Sequence, residues 1–147
     1  MLHLIASLDE GAGLLMFSGK KLLVLKRSKK VDDPKTWGIP GGHREKDDID
    51  LYATARREAI EELGAVPQYT IVGEIEVKNG NKLFTGVLTR TDHHVIREWA
   101  PILNKEHTAY KWASLEWLMD NVNDLHGPIK YMIAAGEIRK RIKKEMS

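Results

Sequence analysis

The chain of 147 residues is 42% hydrophobic, carries a formal net charge of +2 and contains no cysteine. This length and apolar content suit one domain, expected to span 1–147, that buries its own core. The missing cysteines exclude a disulfide scaffold, a cysteine-based zinc site and thiol catalysis, and accord with a reducing cytoplasm, while the near-balanced charge argues against nucleic acid as a partner of the whole molecule.

Residues 1–9 lack the basic stretch and long apolar run of a secretory signal. No window approaches the roughly 18 apolar residues of a membrane span, so a soluble cytoplasmic protein with no membrane partner is expected. Residues 13–17 (GLLMF) and 21–27 (KLLVLKR) read as two strands joined by the polar turn Ser18-Gly19-Lys20. Lys20, Lys21, Lys26, Arg27, Lys29 and Lys30 gather there, a charge that attracts a phosphate-rich ligand.

Residues 28–50 form the only long irregular stretch, and Pro34, Gly38, Pro40, Gly41 and Gly42 give it ordered turns. Such a loop in a compact domain usually carries a binding or active site. A helix is expected over 50–63, with Leu51, Ala55, Ala59, Ile60 and Leu63 on its apolar side and Gly64 as a left-handed cap. Alternation over 69–78, the turn Asn79-Gly80-Asn81 and a return over 82–89 predict a hairpin. After a polar interval and Pro101, residues 110–113 read as a strand, Ser114 caps a helix over 115–121, and Pro128 opens a last helix through 142. The basic end, Arg139, Lys140, Arg141, Lys143 and Lys144, reads as a solvated helix end favoured by the helix dipole over a nucleic-acid grip. The mixed order of strands and helices points to an α+β fold with a mixed sheet between helices.

The helix at 50–63 brings Glu58, Glu61 and Glu62 to spacings of i, i+3 and i+4, hence to one face. An isolated EAIEE segment would be a solvated helix whose acids pair with Arg56 and Arg57. Upstream, however, Trp37-Gly38-Ile39-Pro40-Gly41-Gly42 removes a backbone donor and frees two positions from Cβ restrictions, so the turn can aim a main-chain carbonyl at a metal. Three crowded carboxylates repel one another and want that cation. His107 and the pair His93-His94 find no third partner at zinc spacing and read as surface residues or neighbours of a site.

WGIPGG followed by REAIEELG resembles the Nudix hydrolases, whose signature runs G, five residues, E, seven residues, then R-E-apolar-x-E-E-x-G-apolar. Arg57, Glu58, Ala59, Glu61, Glu62, Gly64 and Ala65 match the second half without a gap. In the first half Asp48 stands where the family has glutamate, and eight residues lead from it to Arg57, which reads as one inserted loop residue. Asp47 and Asp50 are alternatives for that early acid. The opening strand pair resembles the family's first hairpin, and EHTAYKW at 106–112 is similar to the E-H-x-x-x-x-W segment many members carry.

The resemblance implies an α/β/α sandwich and a Mg²⁺-dependent pyrophosphohydrolase, MutT-like, acting on a nucleoside diphosphate linked to another group. Its substrate would be a nucleoside triphosphate, or else ADP-ribose or another nucleotide sugar. Mn²⁺ would serve similarly. Glu58 and Glu62 are implied as metal ligands, with Glu61 as a ligand or the base acting on water. The carbonyl of Gly41, with Gly42 beside it, and Asp48 complete the implied metal set. Glu106 is a rival as ligand or base, and Arg57 orients a helix carboxylate. Arg27 would meet a phosphate, and Trp99, Tyr110 and Trp112 are candidates for stacking on a base, with core packing the readier role for Trp112. A nucleotide sensor without turnover and an RNA-end hydrolase are the alternatives. Many members pair as homodimers, though no interface is legible in this sequence.

Overall fold

The computed structural model describes residues 8–145, so the segment 1–7 discussed above lies outside the described residues. Seven strands form one mixed sheet: β1 (Asp9–Ser18), β2 (Lys21–Arg27), β3 (Trp37–Gly38), β4 (Gly41–His43), β5 (Thr70–Asn79), β6 (Lys82–Thr91) and β7 (His107–Ala113). The main path runs β3-β2-β1-β6-β5, with β4 on β1 and β7 on β2. Of these seven strands in the described residues, only β1 and β6 pair with each other in parallel.

Alternation along β1 and β2 decides which face each residue serves. Leu15, Phe17, Leu22 and Val24 join one core, while Ala12, Leu14, Met16, Leu23 and Leu25 join the other. Helix α1 (Leu51–Leu63) closes the second core through Ala55, Ala59 and Leu63, all fully buried. The first core is covered from the opposite side by α3 (Leu115–Asp120), α4 (Gly127–Ala134) and α5 (Glu137–Glu145), which contribute Leu118, Ile129, Met132, Ile133, Ile138 and Ile142. The architecture is therefore the expected α+β sandwich. Among the described residues, no helix is long and apolar enough to cross a membrane.

The opening strands differ from a simple hairpin in a way that creates the site. They pair only at Phe17 with Leu22 and Ser18 with Lys21, beyond which they splay apart. Strand β2 continues against β7, whereas β1 takes β6 on one edge and β4 on the other. The glycines of β4 allow that insertion: a Cβ on Gly41 would stand 2.6 Å from the Ala12 carbonyl oxygen.

Several local readings need correction. The stretch 28–50 is not wholly irregular, because it contributes β3 and β4. The final helix is two helices, broken where Gly136 takes φ +77 between α4 and α5. Gly64 does end α1 with positive φ, but at φ 79 and ψ −123 it leaves the left-handed helical basin. A short helix, α2 (Val95–Glu98), occupies the interval read as polar loop. Ser114 caps α3 as its sequence suggests, its Oγ accepting from the Trp117 N–H at 3.1 Å.

Candidate active site

Asp50 starts α1 by accepting the Ala53 N–H at 2.8 Å, and this cap fixes the rotation that turns the acidic face toward β4. Glu58, Glu61 and Glu62 then occupy distinct environments. Glu61 is half exposed at the rim. The Glu58 carboxyl fills the space beside Gly42, where a Cβ would come within 2.5 Å of its Cδ. Glu62 lies deepest, at 3% exposure, and its Oε2 accepts the Gly41 N–H at 2.8 Å.

From the other side of the splay, the start of β7 brings His107, and the turn before it the exposed Glu106, to Glu62. Ligand atoms of these three residues lie within 4.8 Å of one another. An irregularity between Lys26 and Arg27 sets Arg27 opposite His107 in the sheet. The His107 side chain is buried, with Nε2 3.6 Å from Glu62 Oε1.

Electrostatics in this pocket favour a cation. Burial, reinforced by repulsion from Glu58 and Glu106, pushes the Glu62 carboxyl up to about 8 despite the Gly41 N–H and the nearby Arg27. Burial also raises Glu58, with Glu61 and Glu106 adding to it and Arg57 opposing it. His107 goes down to about 4, through burial first and then through the charge of Arg27 and the proximity of His126. Among the described residues no lysine or arginine pairs with Glu62. A buried carboxylate with two acids beside it and no lysine or arginine partner is a donor set that suits a hard divalent ion.

Arg57 ties this face to the loop. Nε and Nη2 each reach an oxygen of Asp48 at 3.0 Å, Nη2 also donates to the His43 carbonyl, and Nη1 donates to Glu58 at 3.0 Å and Glu61 at 3.3 Å. Asp48 in turn accepts from Thr54 Oγ1 and from the Glu45 N–H, at 2.8 and 2.9 Å. Its oxygens are thus spent on Arg57, Thr54 and the loop. The Arg57 fork, aided by these donors, holds the Asp48 carboxyl well below the usual carboxylate range.

The residues read as substrate contacts separate. Arg27 ends β2 with Nε donating to the Asp32 carbonyl at 2.7 Å. Tyr110 is 40% exposed. Trp99 is engaged in packing: its Nε1 donates to the Ala65 carbonyl at 2.9 Å and its ring meets Trp112 edge to face. His126, unremarked in the sequence, links the loop before β3 to the start of α4 through a 2.9 Å contact with Asp33. Asn104 and Thr54 were also missed. The spacing of Asn104 two residues before Glu106 is the signal that points to a side chain serving the backbone just ahead of it. Nothing in the sequence distinguishes Thr54 from a surface threonine.

The structure of a C. elegans Ap4A hydrolase binary complex matches at a TM-score of 0.67 and 22% identity, over 93% of this chain and 98% of that one. A MutT protein from Methanosarcina mazei Go1 matches at 0.65 and 22%, over 93% and 94%. The third is a bifunctional NMN adenylyltransferase/ADP ribose pyrophosphatase from Francisella tularensis, complexed with AMP and a Mn ion. It matches at 0.65 and 19%, over 95% of this chain and 44% of that one. A comparison with curated protein sequences finds no match. The NUDIX domain model matches residues 8–135, and with the sandwich and its acidic helix face this makes the chain a member of the Nudix hydrolases, enzymes that act on phosphoanhydride bonds.

Proposed function

We propose that the protein is a divalent-metal-dependent pyrophosphohydrolase that cleaves a nucleoside diphosphate linked to another group. The observation that carries this is the buried Glu62 carboxylate, backed by Glu58 and Glu106 and lacking a lysine or arginine partner among the described residues. A bound Mg²⁺ or Mn²⁺ would neutralise phosphate charge and lower the pKa of an attacking water. Glu58, Glu62 and Glu106 would hold it, with the β4 turn at Gly41 and Gly42 beside them. Glu61, at the rim, is exposed enough to accept a proton from water. Arg57 keeps the carboxylates in position, and Arg27, at the end of β2, supplies positive charge for a phosphate.

Nucleoside triphosphates, ADP-ribose and diadenosine tetraphosphate all contain the proposed scissile unit, and the last two are named in the similar Ap4A hydrolase and ADP ribose pyrophosphatase. The test is a substrate panel with Mg²⁺ and with Mn²⁺, run on wild type, Glu61→Gln and Glu62→Gln. Release of a nucleoside phosphate by wild type, reduced at least about a hundredfold in Glu62→Gln, supports the proposal. Equal release by all three proteins eliminates it. Calorimetric binding of ADP-ribose without turnover in either metal favours a sensor instead.

A further inference from the structure

We infer that His107 ligates the active-site cation through Nε2, so that the site takes a transition-metal dication such as Mn²⁺ or Co²⁺ through mixed nitrogen and oxygen ligands. This rests on the reading of Glu62 and Glu106 as metal-holding carboxylates.

The argument begins at Asn104. Its Oδ1 accepts the Glu106 N–H at 3.1 Å, and because a backbone N–H only donates, that side-chain atom is the oxygen. His107 Nδ1 faces the same oxygen at 3.4 Å. Nδ1 therefore carries the ring hydrogen. In a neutral imidazole this leaves Nε2 as a lone pair, and the lone pair faces Glu62 Oε1 across 3.6 Å with both side chains buried.

Two acceptors facing one another in a dry pocket call for either a proton or a cation between them. Glu62 cannot turn Oε1 away freely, since Oε2 is held by the Gly41 N–H. The 3.6 Å gap is wide for a charge-assisted hydrogen bond, which runs at about 2.7–2.9 Å. It does match two ligands of one ion: donors each about 2.1 Å from a metal stand roughly 3.0–4.2 Å apart. A Glu106 carboxylate oxygen lies within 4.8 Å of both donor atoms. A ligating histidine typically donates its second ring N–H to a fixed oxygen, the part Asn104 plays here as a positioning residue. Imidazole shifts preference from Mg²⁺ toward later divalent ions.

The test is pulsed EPR of the Mn²⁺-loaded protein, prepared with ordinary and with nitrogen-15 histidine. A nitrogen coupling that changes with the isotope is expected, and it is absent in His107→Gln. By calorimetry, His107→Gln weakens Co²⁺ binding at least about tenfold and Mg²⁺ binding by less than about threefold. Mn²⁺ that binds, is lost in Glu62→Gln, and shows no nitrogen coupling overturns the inference while leaving the carboxylate site intact. Failure of wild type to bind any of the three ions removes both readings. The isotope comparison needs only wild type, so a misfolded His107 variant does not obstruct it.

Discussion

The Arg57 guanidinium meets the Asp48 carboxylate edge to edge, Nε on Oδ1 and Nη2 on Oδ2, both at 3.0 Å. The remaining Nη1 is left for Glu58 and Glu61. One planar fork thereby couples the loop after β4 to the acidic face of α1. A lysine offers a point charge and cannot make this double contact. Arg57→Lys is expected to lower kcat at least about tenfold through misplaced glutamates, with a smaller change in KM. Steady-state kinetics at saturating metal checks this, and an unchanged kcat counts against the coupling.

The same pair predicts an acid limb. The folded state holds Asp48 below its unfolded value, so at low pH the unfolded chain binds the extra proton. Stability from this group is present above roughly pH 4 and is lost as pH falls through that value toward the folded pKa. Urea midpoints between pH 6 and about pH 2.5 should therefore drop more steeply in wild type than in Asp48→Asn. Parallel curves would show that the pair carries no differential protonation.

Glu62 has the opposite sign. Its folded pKa is raised to about 8, so without metal the folded state binds more protons than the unfolded chain from about pH 4.5 to 8. Metal-free protein should lose stability as pH rises through that window, each kcal/mol lowering the melting temperature by about 2–4 °C. Mg²⁺ or Mn²⁺ should restore the loss, because an ion that binds only the folded state stabilises it. Thermal melts in chelator at pH 5.5 and 8.5, repeated for Glu62→Gln, measure the effect. The variant should melt almost independently of pH over this range.

Much of this was legible in the sequence, for reasons of local chemistry. Glu58, Glu61 and Glu62 share a face because helix periodicity is local, and the Asn-Gly turn announces the β5–β6 hairpin for the same reason. The splay of β1 from β2 is different in kind. It follows from pairing β1 with β6, some 70 residues away, and no window of sequence contains that relation. His107 finds no third partner at zinc spacing in the sequence, whereas in the fold Glu62 reaches it across the splay. Asp48 was read as a metal acid from its motif position, and only the fold reveals that Arg57, Thr54 and the Glu45 N–H occupy its oxygens.

Gly42 and Gly19 offer a paired test of what a missing Cβ does. A Cβ at Gly42 would displace the Glu58 carboxyl, the end of a flexible side chain that can swing aside at little cost to the fold. Gly42→Ala should therefore fold with nearly unchanged stability and lose metal affinity and kcat, each at least about tenfold. Gly19, with φ +60 and open space around it, should do the reverse: Gly19→Ala costs about 1 kcal/mol through backbone strain and leaves activity intact. Calorimetry and urea melts on both variants separate the two outcomes.

Helix α5 lies beyond residue 135, where the domain match ends, yet it belongs to the core. Ile138 is fully buried and Ile142 nearly so, and Arg141 donates to the Glu74 carbonyl at 2.8 Å over the gap left by Gly73. Removing the Ile138 side chain should cost about 2–5 kcal/mol. Ile138→Ala should accordingly melt at least about 4 °C lower while turning over substrate normally in the cold. An RNA-gripping tail makes a different prediction, since replacing Lys143 and Lys144 would then weaken RNA binding and flatten its salt dependence without moving the melt. The contacts of Ile138, Ile142 and Arg141 favour the first outcome, because a helix held by two buried isoleucines contributes to the sheet whether or not its charged face meets anything.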